Sequence, residues 1–285
     1  MPKSYILNES PRAISNELSG LPFKNETILK QWHITNQTQT VVAHGILGRN
    51  PYHPYCDELG IWVHDDYRRQ GLGSRLLEVM SSTAMSLEPV ENSADVQPLK
   101  VSITCDKTNV AAFLKHHDFE LRRQCFEFRQ ERLKKDFECT HIPLNTLPSL
   151  SAMQLEAVFK QLYLDYEMNH QSVSPMSHEM SVQEWIDRLT LGISFEASVV
   201  YCENNKIAYC LVEAEASSAY VCYTGSQLPT GGATENFLKN CLNLLFSKFS
   251  WVDFEIDTTD QVAMKFLDIF DITPTDSYDA YIKKR

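Results

Sequence analysis

The stretch Asp57-Glu-Leu-Gly-Ile-Trp-Val-His-Asp-Asp-Tyr-Arg-Arg-Gln-Gly-Leu-Gly-Ser74 decides how the rest of the chain is read. Leu59 to Val63 is a short apolar run with the character of a strand. From Gly71 onward the apolar residues recur as Leu72, Leu76, Val79, Met80 and Leu87, which is helical spacing. Between strand and helix stand Arg68, Arg69, Gln70, Gly71, Leu72 and Gly73. Two glycines spaced by one residue let the backbone turn tightly and let a ligand approach it. The first amides of a helix have no internal acceptor, so they suit an anion. Two guanidinium groups beside them add charge and directed donors. The physical expectation is a pyrophosphate cradle at the start of a helix.

The spacing Arg-x-x-Gly-x-Gly at 68–73, after a strand and before an amphipathic helix, resembles the acyl-CoA-binding motif of the GNAT N-acetyltransferase superfamily. The resemblance implies acetyl-CoA as co-substrate, held by Arg68, Arg69, Gln70, Gly71, Leu72, Gly73 and Ser74. In the family the central strand splays from its neighbour and its backbone holds the pantetheine arm. That implies contacts from Ile61, Trp62 and Val63. The stretch from Asn109 to Phe119 resembles the second motif of the family, in which an asparagine opens a helix beside the pantetheine and its thiol. This implies a role for Asn109. Leu114 stands where many members carry the tyrosine that protonates the leaving thiolate, and Asp118 stands where a glycine is usual. His116 and His117 are expected as solvated residues at the helix end.

The chain has 285 residues, enough for one large domain or two ordinary ones. Its net charge of −11 disfavours nucleic acid. The excess acid is uneven: residues 1–132 carry 15 Lys+Arg against 16 Asp+Glu, and residues 133–285 carry 11 against 21. Eight cysteines lie mostly in apolar runs without a Cys-x-x-Cys pair, the usage of reduced thiols in a cytoplasmic protein, and no metal site is expected. No signal peptide or membrane span is expected either.

Along the chain, strands are expected near residues 4–7, 27–34 and 40–47, with a short helix around 11–18. The stretch Asn50-Pro-Tyr-His-Pro-Tyr55 reads as an aromatic loop that borders the acceptor pocket, or as an ordinary loop. Residues 88–98 read as a surface loop, 99–105 as a strand and 120–129 as another. After a join at Arg132-Leu-Lys-Lys-Asp136 the pattern starts again. Residues 137–144 read as a strand, 150–166 as a helix, and Ser181-Val-Gln-Glu184 as a capping box. Strands at 198–202, 207–212 and 220–225 precede a glycine turn at 229–233, a helix through 246, a strand at 251–256, a helix at 261–270 and a last strand at 278–282.

That order repeats the first half. The fold class expected is α/β (α+β): two tandem GNAT-like domains, 1–132 and 133–285, each a mixed, mostly antiparallel sheet flanked by helices. The second elbow, Gln227-Leu-Pro-Thr-Gly-Gly-Ala233, contains no arginine or lysine, and Thr259-Asp260 stands where the second motif would have its asparagine. Electrostatics therefore assigns the anionic cofactor to the first copy and leaves the second degenerate.

The chemistry implied is acetyl transfer from a thioester to an amine by direct attack. The amine must lose a proton, and Glu58 at the start of the central strand is the candidate base, with Asp57 as the alternative. A strand amide near Val63 would meet the oxyanion. The acidic second half suggests a small cationic amine as acceptor. A non-catalytic acyl-CoA sensor is the competing expectation. Neither nucleic acid nor membrane is expected as a partner, and the molecule is expected as a monomer or a homodimer.

Overall fold

In the computed structural model, residues 5–10, 27–88, 90, 97–229 and 232–285 are described. The helix expected around 11–18 lies outside them, as do most of the 88–98 loop and residues 230–231 of the second glycine turn.

The strands of the first half are β1 (Ile6–Glu9), β2 (Ile28–Thr35), β3 (Val41–Asn50), β4 (His53–Val63), β5 (Leu99–Thr104) and β6 (Glu120–Glu131). Its helices are α1 (Leu72–Ser86) and α2 (Thr108–His116). The second half contributes β7 (Asn145–Thr146), α3 (Ala152–His170), α4 (Val182–Leu189), β8 (Val199–Glu203), β9 (Lys206–Ala214), β10 (Ser218–Ser226), α5 (Gly232–Lys248), β11 (Trp251–Asp257), α6 (Lys265–Phe270) and β12 (Tyr278–Lys283).

All the strands join in one sheet of order β1-β2-β3-β4-β5-β12-β6-β11-β10-β9-β8-β7. Each half places its last strand beside the penultimate strand of the other. Thus β12 pairs with β5, from Tyr278↔Thr104 to Lys283↔Leu99. Reciprocally, β6 pairs with β11, from Trp251↔Glu131 to Asp257↔Cys125. The two exchanged strands also pair with each other, Tyr278 opposite Cys125. The exchange buries apolar side chains on both faces of β12. Tyr281 joins the core of α1 and α2, while Ala280 and Ile282 turn the other way onto Cys56 and Val173.

The amphipathic reading of α1 holds. Leu72, Leu76, Leu77, Met80 and Ala84 face Trp32, Leu47, Leu59 and Leu99 in the core of the first half. In the second half the alternation of β9 serves two layers. Ala208, Cys210 and Val212 meet α5, and Ile207, Tyr209 and Leu211 meet α3. The capping box at Ser181 forms, with its hydroxyl taking the Glu184 amide and the Glu184 carboxylate taking the Ser181 amide.

Three expectations need correction. Residues 137–144 form no regular element and pair with no strand among the described residues. Amide side chains on α5 hold them instead. Asn243 takes the Phe137 amide at 2.8 Å and donates to its carbonyl at 3.0 Å, while Asn236 and Asn240 do the same for Thr140. The 50–55 stretch is a two-residue turn followed by the start of β4, which begins six residues before the apolar run. Its rings dock on the second half: Tyr52 meets Trp185 edge-on, and His53 stacks on His170. The helix expected over 261–270 is regular only from Lys265. All eight cysteines are free.

Candidate active site

The first half opens where β4 leaves β5. Their parallel pairing covers only Asp57↔Leu99 and Glu58↔Lys100, so beyond Glu58 the β5-facing edge of β4 has no partner strand among the described residues. On its other edge β4 stays paired with β3 through Ala43↔Val63. Ile61, Trp62 and Val63 thus sit on the splayed part of β4, each half-buried.

Past Val63 the chain makes one short helical turn at Asp65–Tyr67, then the elbow. Gly71 caps α1 with φ 79°, a left-handed conformation that a Cβ would strain. Arg75 is the first α1 residue whose amide closes back, onto the Gly71 carbonyl at 3.0 Å, so the amides of Leu72, Gly73 and Ser74 have no helical acceptor. Arg68 and Arg69 are exposed beside them. Arg68 is aimed by two contacts: its Nε donates to the Val63 carbonyl at 3.2 Å, and its Nη2 lies 2.6 Å from Asp65. Gln70 is fixed by the Tyr5 hydroxyl at 2.5 Å, and Arg75 donates to the Tyr5 carbonyl at 3.1 Å. Three arginines, at 68, 69 and 75, therefore belong to one helix start.

The second motif lies alongside. Asn109 is exposed in the first turn of α2. Asp118 takes φ 63°, so it ends the helix in the left-handed conformation for which a glycine is usual. Leu114 is buried in the core with Leu72 and Leu76. His117 is not a solvated end residue. It is half-buried against the Phe113 ring, and its Nε2 lies 3.0 Å from Ser74 Oγ, tying α2 to α1. Burial, then the neighbouring His116 and Lys283, pushes its pKa down.

Glu58 occupies the last paired rung before the splay. Lys100 Nζ lies 3.1 Å from its carboxylate and 2.7 Å from Ser174 Oγ. The Ser174 carbonyl accepts from His53 Nδ1 at 2.6 Å, which leaves His53 Nε2 to accept from the Tyr166 hydroxyl at 3.2 Å. Burial holds His53 below its ordinary pKa, so it is neutral in this chain of contacts. Asp57, the alternative base, is 0 % exposed and engaged by Arg49 at 2.7 Å and by Arg285. It is a structural ion pair between β3, β4 and the C-terminus. Sequence reasoning missed Lys100, Ser174 and Tyr166, while His53 lies in the 50–55 stretch expected to border the acceptor pocket. A lone lysine inside the apolar Leu99-Lys-Val strand was the only local sign.

No group of side chains suited to a metal ion occurs among the described residues. No helix among them is long and apolar enough to cross a membrane.

Comparison with known proteins fits this geometry. Residues 30–121 match the family described as acetyltransferase (GNAT) domain, a span that runs from β2 to the start of β6. Over the whole chain the fold is similar to a GCN5-related N-acetyltransferase from Sphaerobacter thermophilus, with 14% identity and a TM-score of 0.59, covering 98% of this chain and 95% of that one. A GCN5-related glucosamine N-acetyltransferase region of a fungal multi-domain β-N-acetylglucosaminidase is similar over 99% of this chain and 38% of that one, with 11% identity and a TM-score of 0.50. At such identities the likeness concerns the fold alone. No curated protein matches the chain. Residues 30–121, which carry the elbow and the splayed strand, thus match the GNAT acetyltransferase domain over about a third of the chain.

Proposed function

We propose that the protein transfers an acetyl group from acetyl-CoA to the amine of a small, cationic acceptor by direct attack, with the donor held by the first half alone. The observation that carries this reading is the elbow. Unpaired helix amides stand at the start of α1, with Arg68, Arg69 and Arg75 in or just after the elbow, and the elbow follows the stretch of β4 that β5 no longer pairs. The pyrophosphate would lie on Leu72, Gly73 and Ser74, with Gln70 and Gly71 shaping the turn. The pantetheine would run along Ile61, Trp62 and Val63 toward Asn109. Residues 1–132 would then be the donor-binding unit, and 133–285 a degenerate copy that completes the sheet.

Glu58 is the proton acceptor in this reading. It lies at the mouth of the splay, with one carboxylate oxygen facing Lys100. The lysine holds the carboxylate in place, and the other oxygen can take the ammonium proton directly or through water. An acceptor with a positive charge fits the acidic second half, whose α3 reaches β4 through Tyr166 and His53. Eight free cysteines fit a reducing, cytoplasmic setting.

The rival reading, an acyl-CoA sensor, draws on Leu114, which is buried in the core and supplies no acid for the departing thiolate. Thiol release from acetyl-CoA, measured with a panel of small amines, separates the two. The enzyme reading expects turnover with at least one amine and its loss in Glu58→Gln. Tight acetyl-CoA uptake without turnover on any acceptor would favour the sensor.

A further inference from the structure

The second half contains a cavity of about 320 Å³ that the proposed transfer does not use. It forms where β10 leaves β11. Their parallel pairing runs from Ser218↔Trp251 to Val221↔Phe254 and stops there. A bulge between Val221 and Tyr223 shifts β10 against β9 at the same point. The strand beyond the bulge lines the opening with Cys222, Tyr223 and Thr224, while α3 closes it with Asp165 and Tyr166. Gly225 is required there, because a Cβ would collide with the Asp165 carboxylate and the Tyr209 ring. The volume is at the small end of the range for ligand pockets.

Its lining is one-signed. Asp165, Glu213, Glu255, Asp257 and Asp260 contribute carboxylates, and among the described residues no lysine or arginine lines it. His170 is the one imidazole, and burial pushes its pKa down to about 3, so it is neutral. Some of the carboxylate oxygens are already used. Asp165 takes the Tyr209 hydroxyl at 2.7 Å, Glu255 takes the Tyr220 hydroxyl and the Cys125 thiol, and Asp260 takes the amides of Val262 and Ala263 at 2.9 Å. Arg123, from outside the lining, donates to Asp257 Oδ2 at 3.0 Å.

Two polar atoms of the lining have nothing. Thr224 Oγ1, on a residue 4 % exposed, and Asp257 Oδ1 are buried without a hydrogen-bond partner. A buried polar atom left unpaired costs about 1–3 kcal/mol, so such atoms in a cavity mark where a ligand atom belongs. Burial also lifts the pKa of Asp165 and Asp257, and lifts Asp260 to about 6 with help from the charges of Asp165 and Asp257. A cation relieves that repulsion, and an anion such as coenzyme A compounds it. Tyr166, Tyr223 and Phe254 supply aromatic rings to the lining.

We propose that this cavity is a second ligand site, binding a small organic ammonium ion whose charge sits among Glu255, Asp257 and Asp260 and whose second polar group meets Thr224. The site lies in the degenerate copy, its lining includes neither Glu58 nor Lys100, and it does not depend on how the acetyl donor is held.

Isothermal titration calorimetry on the full chain tests this with agmatine, putrescine and benzylamine as probes and inorganic phosphate as the anionic control. At least one amine is expected to bind at a single site, and phosphate, which the elbow of the first half can take, is not expected to compete with it. A Glu255→Gln, Asp257→Asn double variant is expected to weaken that amine by about tenfold or more. Thr224→Val, which keeps the shape, is expected to weaken it about fivefold. Acetyl-CoA uptake in the same samples stays unchanged, so failure here is distinct from failure of the donor site. If the double variant melts below the assay temperature, Thr224→Val alone decides. The proposal is overturned if no probe binds up to about 10 mM, if the cavity variants bind as the parent does, or if Glu58→Gln rather than the cavity variants abolishes uptake.

Discussion

In the first half, β4 leaves β5 after Glu58 and runs into an elbow carrying Arg68, Arg69 and Arg75. In the second half, β10 leaves β11 after Val221 and runs toward an elbow, 227–233, that carries no cation, while carboxylates line the opening between the strands. The backbone device is the same: two parallel strands that pair for a few rungs and then part. What differs is the sign of the side chains at the rim. Parted strands only create unpaired backbone groups and space. Coulombic terms in a partly dry cleft then decide whether the space suits a polyanion or an ammonium ion.

Breaking the symmetry of the exchange should have the largest effect. Removing residues 277–285 takes β12 out from between β5 and β6, and with it the buried Tyr281 and the Arg285 partner of Asp57. Two strand ladders and a buried ion pair together rival the whole stability of a domain, about 5–15 kcal/mol. The truncated chain should show no cooperative unfolding by circular dichroism, and the donor elbow should fail although it lies 200 residues away in sequence. A truncated chain that still melts cooperatively and still takes up acetyl-CoA would mean that the halves are independent.

The next effects separate the elbows. Gly71→Asp forces a side chain into φ 79° and sets a carboxylate at the start of α1. Acetyl-CoA affinity should fall by about a hundredfold, and Arg68→Ala should cost about tenfold. Glu58→Gln should lower kcat by about 10² or more with little change in the KM for acetyl-CoA. An unchanged kcat would remove Glu58 from the proton transfer.

The acidic cavity has its own signature. The Asp260 pKa is raised to about 6, so between about pH 4 and 6 the folded chain holds a proton there that the unfolded chain has lost. The contribution of Asp260 is most favourable below that window and is lost as pH rises through it. Asp260→Asn keeps an oxygen for the Val262 and Ala263 amides and removes the charge. At pH 7.5 it should match or exceed the parent by on the order of 1–3 kcal/mol, and the gain should vanish near pH 4 in urea titrations. A constant difference across that range would contradict the buried, charged cavity. Smallest in reach, Asn243→Ala removes both bonds to Phe137 and should cost about 1–2 kcal/mol, with no change at either opening.

Local signals were legible in the chain. Leu72, Leu76 and Met80 announce α1 by their spacing, and Ser181 with Glu184 announces α4, because both depend on residues within one or two turns. Partners far apart in sequence were not legible. The alternation in 278–282 marks a strand but does not say that β5 is its neighbour, since any exposed strand edge offers the same ladder. Residues 137–144 mimic a strand because a chain pinned by Asn236, Asn240 and Asn243 needs the same apolar face. The Glu58–Lys100 rung and the Thr224–Asp257 cavity depend on where two strands part, and a pairing limit leaves no mark in either strand alone.

The stoichiometry of acetyl-CoA tests the contrast between the two openings most directly. Calorimetry on the intact chain should find one molecule per chain, and uptake should disappear with Gly71→Asp while surviving Glu255→Gln, Asp257→Asn. Two molecules per chain, or one that Gly71→Asp leaves in place, would show that the charge at the rim does not choose the ligand.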